Sequence, residues 1–329
     1  MELPKLAIAA LGGTVSMQTS NPGEGVVPMV SGETLLASIP QLTTLARVSV
    51  ETLGLLPSAS LDFEFLLSVL SWAKFQVKQG AVGVVITQGT DTLEEAALFF
   101  DYLWPHDAPL VLTGAMRSAA QPGADGPANL LDACRVALAE SSRQRGVQVV
   151  MNGQIHHARS VRKTDSLALQ AFSSPTMGPA GLLLEDRVCY LRPPESRTVL
   201  PLPQQTTQKV AMLEASLSAD TLLLENILDL GYDGLVIAGF GAGHVSEKWA
   251  AKIESIAEKI PVIIATRTGS GSTARASYGF MGGEMDLIHK GVSMAGFLCP
   301  RKARILLWLL IGCQQLDELG QYLTDGTTL

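Results

Sequence analysis

An alternation of two kinds of segment constrains this chain more than any other feature. Short β-branched and aliphatic runs end in glycine or turn residues, and between them lie segments whose apolar residues recur at helical spacing. The strand-like runs are Leu6–Ala10, Val48–Leu53, Gly83–Thr87, Leu110–Thr113 and Val147–Met151. The helical segments between them are Glu33–Ser38, Phe63–Lys78, Thr92–Leu103 and Ala128–Ala139. Strands that alternate with helices pair in parallel and are covered on both faces, which predicts an α/β fold. The pattern stops in a proline-rich, polar stretch from Pro193 to Gln208 and then resumes. Strands are expected at Val210–Leu213, Leu235–Ala238 and Val262–Ala265, and helices at Thr221–Asp229, Glu247–Lys259 and Pro300–Ile311. The reading is a large N-terminal parallel-sheet domain over 1–192, a linker over 193–208 and a smaller α/β domain over 209–329.

Composition narrows the function. With 24 Lys+Arg against 31 Asp+Glu, a net charge of −7 and no basic block, the surface is not built to neutralise phosphates, so nucleic acid is not expected as a partner. The mean hydropathy is +0.25, yet no apolar run approaches the roughly 18 residues that span a bilayer. Ile305–Cys313, the richest run, reads as part of a buried helix, and no membrane association is expected. The apolar stretch Leu6–Leu11 has only five residues before it, too few for a secretory head, so the cytoplasm is the expected location. A mature secreted form whose signal had been removed would read the same. The cysteines 134, 189, 299 and 313 form no C-x-x-C pair, which points to buried thiols rather than disulfides or zinc.

On an open parallel sheet, ligands bind beyond the carboxyl ends of the strands, so the residues that follow each strand are the candidates. Leu11-Gly12-Gly13-Thr14 follows the first strand; its glycines permit a tight turn and its threonine offers a hydroxyl, but no phosphate-loop pattern is present. The aperiodic stretch Val15–Val30 is expected to be a mobile loop able to close over a site. Gln88-Gly89-Thr90-Asp91-Thr92 follows a later strand, and Asp91 with Glu94 also reads as a helix N-cap and capping box. Thr113-Gly114-Ala115-Met116-Arg117 follows the next strand and leads to Asp125-Gly126-Pro127-Ala128-Asn129-Leu130, which on its own is a turn and a proline-started helix.

Taken together, these segments resemble the bacterial-type L-asparaginase (asparaginase/glutaminase) family. Gly12-Gly13-Thr14, Gly89-Thr90-Asp91-Thr92, Thr113 to Arg117 and the Asp-Gly-Pro-x-Asn-Leu block match its motifs in order. Lys163 with Ala171-Phe172-Ser173-Ser174-Pro175 resembles its lysine segment, and Pro300-Arg301-Lys302-Ala303-Arg304 its C-terminal helix. The resemblance implies a flavodoxin-like N-terminal domain and an amidohydrolase that releases ammonia from an amino acid amide by acyl transfer, without cofactor or metal. It further implies a homo-oligomer, a dimer of dimers, whose sites are shared between subunits.

The same resemblance assigns roles. Thr14 would be the nucleophile, and Thr90, Asp91 and Lys163 the family's Thr–Lys–Asp triad. Glu284, matched by counting back from Pro300, would be the glutamate supplied by a neighbouring subunit. Ser58 would hold the substrate α-carboxylate, with Ala59 beside it in the substrate pocket; Asp91 would pair with the α-ammonium and the Ala115 carbonyl would anchor the leaving amide. A threonine hydroxyl is a weak nucleophile and needs such a base or network.

Three positions depart from the family pattern. The loop tyrosine falls at Gly25, and no tyrosine precedes Tyr102; Glu24 or Ser20 are the alternatives nearby. A second-domain asparagine falls at Ala242, and Ala59 stands where many members carry glutamine. Gln88 replaces a histidine that often precedes Gly-Thr-Asp-Thr, a change of small consequence. Among the five histidines, the adjacent pair His156-His157 would point to opposite faces of a strand and so is not expected to bind a metal. Two further readings stay open: the same chemistry on another amide (D-Asn, Gln or a modified β-amide), and a weakly catalytic amino-acid-binding protein.

Overall fold

The computed structural model describes residues 2–14, 17–19, 26–28 and 32–323, and the chain divides into two compact units, Met1–Val199 and Leu200–Leu329. The first unit is built on an eight-stranded sheet. Lys5–Ala10 pairs in parallel with Arg47–Thr52 on one side and with Gly83–Thr87 on the other. Leu110–Thr113 and Val147–Met151 then continue the parallel run. This is the predicted α/β architecture in flavodoxin-like strand order. The three strands Gly83–Thr87, Leu110–Thr113 and Val147–Met151 are buried along their whole length, as continuous apolar runs covered on both faces require.

Three more strands extend the sheet in antiparallel fashion: Gln154–His157, Gly181–Leu184 and Arg187–Tyr190. No helix separates them, so the helix–strand alternation left them unread. Met17–Thr19 and Val26–Pro28 pair as antiparallel strands within the stretch expected to be a mobile loop. Gly25, Glu24 and Ser20 lie outside the described residues.

Helix Phe63–Lys78 shows why the spacing is reliable where one face is apolar. Asp62 caps it by accepting from the Phe65 N–H at 2.8 Å, and Leu66, Val69, Leu70 and Ala73 carry its buried face. Leu6, Ile8, Val85, Val111, Leu130, Ala133 and Ala137 belong to one continuous core.

The second unit has a four-stranded parallel sheet in the order Val210–Glu214, Gly234–Gly239, Val262–Thr266 and Ser293–Met294. Trp249, Ala250, Ile253 and Ile256 of helix Glu247–Ala257 pack on it with Leu235, Ile237 and Ile264. The segment predicted as a helix over Thr221–Asp229 is helical only over Leu222–Asn226. Pro300–Gly312 is the buried helix expected there, and no helix among the described residues is long and apolar enough to cross a membrane.

Candidate active site

After the first strand the chain moves to the sheet edge, and after Arg47–Thr52 it returns to the far side of the first strand. The strand order therefore reverses at the first strand, and on an open sheet with such a reversal the ligand site is expected beyond the carboxyl ends of the two strands that flank it, Lys5–Ala10 and Gly83–Thr87. The segment after the first of these strands carries Thr14, and that after the second carries Thr90 and Asp91.

Glycine brings these loops together. Gly13 has φ +82°, and a methyl group placed on it would stand 2.1 Å from the Gly89 amide nitrogen. The backbones of the two threonine motifs thus touch where a side chain would separate them. A methyl on Gly89 would stand 2.7 Å from the Ser58 Oγ, and one on Gly114 2.6 Å from the Gln88 carbonyl oxygen. Main-chain bonds tie the same loops: Leu11 N donates to Thr87 O at 2.9 Å, Leu56 N to Leu11 O at 3.0 Å and Gln88 N to Thr113 O at 3.1 Å. Thr92 Oγ1 donates to Ser58 O at 2.9 Å.

Lys163 joins the cluster from a two-stranded ribbon, Arg162–Lys163 against Phe172–Ser173, in which Lys163 faces Phe172. The lysine and the Ala171–Pro175 segment are two strands of one ribbon, which explains why they occur together. Lys163 Nζ donates to Thr90 Oγ1 at 2.9 Å and to Asp91 Oδ1 at 2.6 Å. Thr90 is buried, Lys163 half-buried and Asp91 exposed, so the group lies at a boundary between core and solvent. The capping reading is corrected here: Thr92 occupies the N-cap of Leu93–Leu103 and makes no side-chain cap bond. Asp91 instead binds the lysine side chain, and the buried Glu94 carboxylate accepts from the Lys163 backbone N–H.

The Asp125–Asn129 block also does more than start a helix. The Asp125 carboxylate accepts from Met116 N at 2.9 Å and Arg117 N at 2.8 Å. Asn129 Nδ2 donates to Gly114 O at 3.0 Å, while its Oδ1 accepts from Asn152 N at 2.9 Å. These bonds hold the main chain around buried Ala115, whose carbonyl is the candidate amide anchor. Ser58 is buried at the start of a 3₁₀ turn, Ala59 beside it is exposed, and Thr14 is half-buried.

Glu284 belongs to the second unit, at the first position of helix Glu284–His289, and is fully buried. Its Oε1 accepts from Ser277 N and from Tyr278 N at 2.7 Å, and its Oε2 faces His244 Nε2 at 3.1 Å. Burial pushes its carboxyl up, but the donors at Tyr278, Ser277, Glu284 itself and His244 outweigh that and hold it below the usual carboxylate range. Ala242 lies in the tight turn from Phe240 to His244. His156 and His157 are both buried on one strand: His156 Nδ1 lies 3.0 Å from Ser174 Oγ, and His157 lies 3.7 Å from Glu195.

Sequence reasoning missed Glu94 as a lysine-segment anchor and His244 as a partner of Glu284. A second carboxylate at the end of Asp-Thr-Leu-Glu was the only signal for the former, and capping explained it adequately. Nothing local marks His244, whose partner is 40 residues away.

Residues 5–196 match the sequence profile "Asparaginase, N-terminal", and residues 209–320 match "Glutaminase/Asparaginase C-terminal domain". The chain is 35% identical to the probable periplasmic L-asparaginase of Haemophilus influenzae, across 98% of this chain and 93% of that protein. It is 31% identical to L-asparaginase 2 of Escherichia coli, across 94% and 90%. The crystal structure of a probable cytoplasmic L-asparaginase from Campylobacter jejuni superposes with a TM-score of 0.86 at 29% identity, covering 97% of this chain and 99% of that one. Two profiles that together span nearly the whole chain, and relatives matched over nine-tenths or more of both chains, make this protein a member of the asparaginase family.

Proposed function

We propose that the protein hydrolyses the side-chain amide of L-asparagine to L-aspartate and ammonia, with Thr14 as nucleophile. The observation that carries this reading is Lys163 Nζ bonded to both Thr90 Oγ1 and Asp91 Oδ1, beside the Gly13–Gly89 contact that brings Thr14 to the same end of the sheet. In this reading the Thr14 oxygen attacks the amide carbon, and its proton passes to a base. The tetrahedral adduct collapses as the C–N bond breaks and ammonia leaves with a proton. Water then attacks the threonyl ester, which restores Thr14 and frees the acid.

Lys163 assists by donating to Thr90 Oγ1, so that the Thr90 proton is directed away from the lysine and toward the reacting groups. Asp91, exposed beside it, would pair with the substrate ammonium, and Ser58 with its carboxylate. The Ala115 carbonyl would receive the leaving amide. Glu284 would reach Thr14 from a neighbouring subunit, which makes the working form a homo-oligomer, a dimer of dimers. No cofactor enters the scheme. A cytoplasmic location suits the four cysteines, all of which are free thiols.

The departures favour a second reading in which the amide is not L-asparagine. Ala59 and Ala242 offer methyl groups where many relatives of the family place amides, and each missing bond to a charged substrate group costs roughly 1.5–3 kcal/mol. Ammonia release from L-Asn, D-Asn, L-Gln and simple β-amides, with wild type beside Thr90→Val, separates the readings. Turnover of L-Asn that the variant abolishes supports the proposal. Turnover of another amide alone replaces it with the second reading, and no ammonia from any amide together with a thermal shift by L-aspartate marks a binding protein.

A further inference from the structure

Lys163 does not belong to the eight-stranded sheet that positions Thr90. It is carried by a ribbon of two residues a side, Arg162–Lys163 against Phe172–Ser173, in which Lys163 stands opposite Phe172. So short a hairpin has little stability of its own, and its place depends on tertiary anchors. Phe172 is buried, and the Glu94 carboxylate accepts from the Lys163 backbone N–H. Thr164 N donates to Ala171 O at 2.7 Å and closes the ribbon on its loop side. These contacts leave the opposite end, where Ser173 faces Arg162 and the chain departs through Ser174.

His156 ties that end to the main sheet. It lies on Gln154–His157, opposite Val149 of the fully buried strand Val147–Met151. Its side chain is fully buried, and its Nδ1 stands 3.0 Å from the Oγ of buried Ser174. Ser160 Oγ donates to the same Ser174 Oγ at 3.3 Å, so the Ser174 proton is left for Nδ1, which accepts it. Just beyond, Gly178 N donates to Ser174 O at 2.8 Å, so the residue is held at both its hydroxyl and its carbonyl. An aliphatic side chain fills a buried strand position at least cost, and a histidine there offsets its desolvation only through the bonds it makes. A buried hydroxyl and ring nitrogen that meet in this way are costly to separate.

We infer that His156 is a positioning residue for the amidohydrolase reaction: through Ser174 it fixes the ribbon that presents Lys163 to Thr90 and Asp91. This rests on the reading in which Lys163 takes part in the chemistry. Lys163 Nζ lies 2.9 Å from Thr90 Oγ1 and 2.6 Å from Asp91 Oδ1, so a ribbon displaced by about 1 Å loses both contacts. The loss falls on the chemical step rather than on affinity, because Thr90 loses its donor while Asp91 keeps its carboxylate for the substrate ammonium.

The test is steady-state ammonia release by the full-length protein from whichever of L-Asn, D-Asn, L-Gln and simple β-amides wild type turns over fastest. Wild type is compared with His156→Leu, His156→Asn, Ser174→Ala, the Leu/Ala double variant and Lys163→Met, with a thermal melt of each. His156→Leu and Ser174→Ala are each expected to lower kcat about 10- to 100-fold with KM changed less than about threefold. The double variant should be no worse than either, since both changes remove one bond. His156→Asn, whose amide reaches the place of Nδ1, is expected to recover most of the loss. Wild-type kcat in His156→Leu and Ser174→Ala beside an inactive Lys163→Met overturns the inference alone. Equal losses in the Leu and Asn variants, or losses that add in the double variant, also overturn it, since they mark a packing role. No turnover by wild type, or full activity in Lys163→Met, overturns both the inference and the reading it rests on. Should the Leu variant fail to fold, Ser174→Ala decides: a lowered kcat at an unchanged melting temperature supports the inference, and wild-type kcat refutes it.

Discussion

Replacement of Gly13 by alanine tests whether the site depends on backbone-to-backbone packing. Two costs are expected. Gly13 has φ +82°, and an alanine forced into the left-handed region loses roughly 1–2 kcal/mol. The added methyl would also stand 2.1 Å from the Gly89 nitrogen and 2.3 Å from its Cα, where ordinary contact begins near 3.4 Å. Neither atom is the end of a flexible side chain, so one loop must move by about 1 Å, at the roughly 1–3 kcal/mol typical of overpacking. The sum is roughly 2–5 kcal/mol. At about 2–4 °C per kcal/mol for a unit of this size, the melting temperature should fall by at least about 4 °C. Because the movement separates Thr14 from Thr90, kcat/KM should fall about 100-fold as well.

Gly80 supplies the control. Its φ is +88°, and nothing lies within 4 Å of a methyl added there. Gly80→Ala should therefore show the backbone cost alone, roughly 1–2 kcal/mol, with unchanged activity. Differential scanning calorimetry and a coupled ammonia assay on both variants decide the matter. If Gly13→Ala melts and turns over like Gly80→Ala, the claim that the glycine contact assembles the site is wrong.

Lys163→Met removes the bonds to Thr90 and Asp91 while keeping most of the side-chain volume; ammonia release should drop roughly 10²–10⁴-fold, and a drop under threefold would remove the lysine from the mechanism. Asn129→Ala strips the partners of Gly114 O and Asn152 N in a buried setting, so equilibrium urea unfolding should show a loss of roughly 2–4 kcal/mol, and a loss under 1 kcal/mol would argue that water replaces the amide. The Glu284 carboxyl is held below its ordinary range in the folded state, so its contribution to stability is complete above the ordinary carboxylate pKa and is lost as pH falls toward the depressed value. Melts of Glu284→Gln across the acid range should therefore fall less steeply than those of wild type below pH ~4.5, and parallel curves would refute the assignment.

What could be read before folding was whatever repeats along the chain. A helix that buries Leu66, Val69, Leu70 and Ala73 must show a 3.6-residue period, and strands buried on both faces must be apolar throughout, so both signals are written locally. Strand-to-helix turns follow from the same alternation, which is why Thr14, Thr90 and Ala115 were candidates from position alone. The strands Gln154–His157, Gly181–Leu184 and Arg187–Tyr190 carried no such mark, because antiparallel neighbours need no helix between them and are too short for a clear period.

Asp91 and Glu94 show the limit of local reading. A carboxylate at the start of a helix and another three residues later satisfy a capping box, and the partner that claims them instead, Lys163, lies about 70 residues further along. His244 and Glu284 are 40 residues apart and meet only because the turn after Gly234–Gly239 and the loop before Glu284–His289 pack together. The sequence by itself thus determined the α/β architecture, the location of candidate residues at strand ends and the family. Only the tertiary structure decided which hydroxyl meets which amine and which side chain and backbone groups hold the buried Glu284 carboxylate. The reason is physical: periodic burial is a property of neighbours in the chain, whereas a hydrogen-bonded site depends on distances of about 3 Å between segments that nothing but the completed fold brings together.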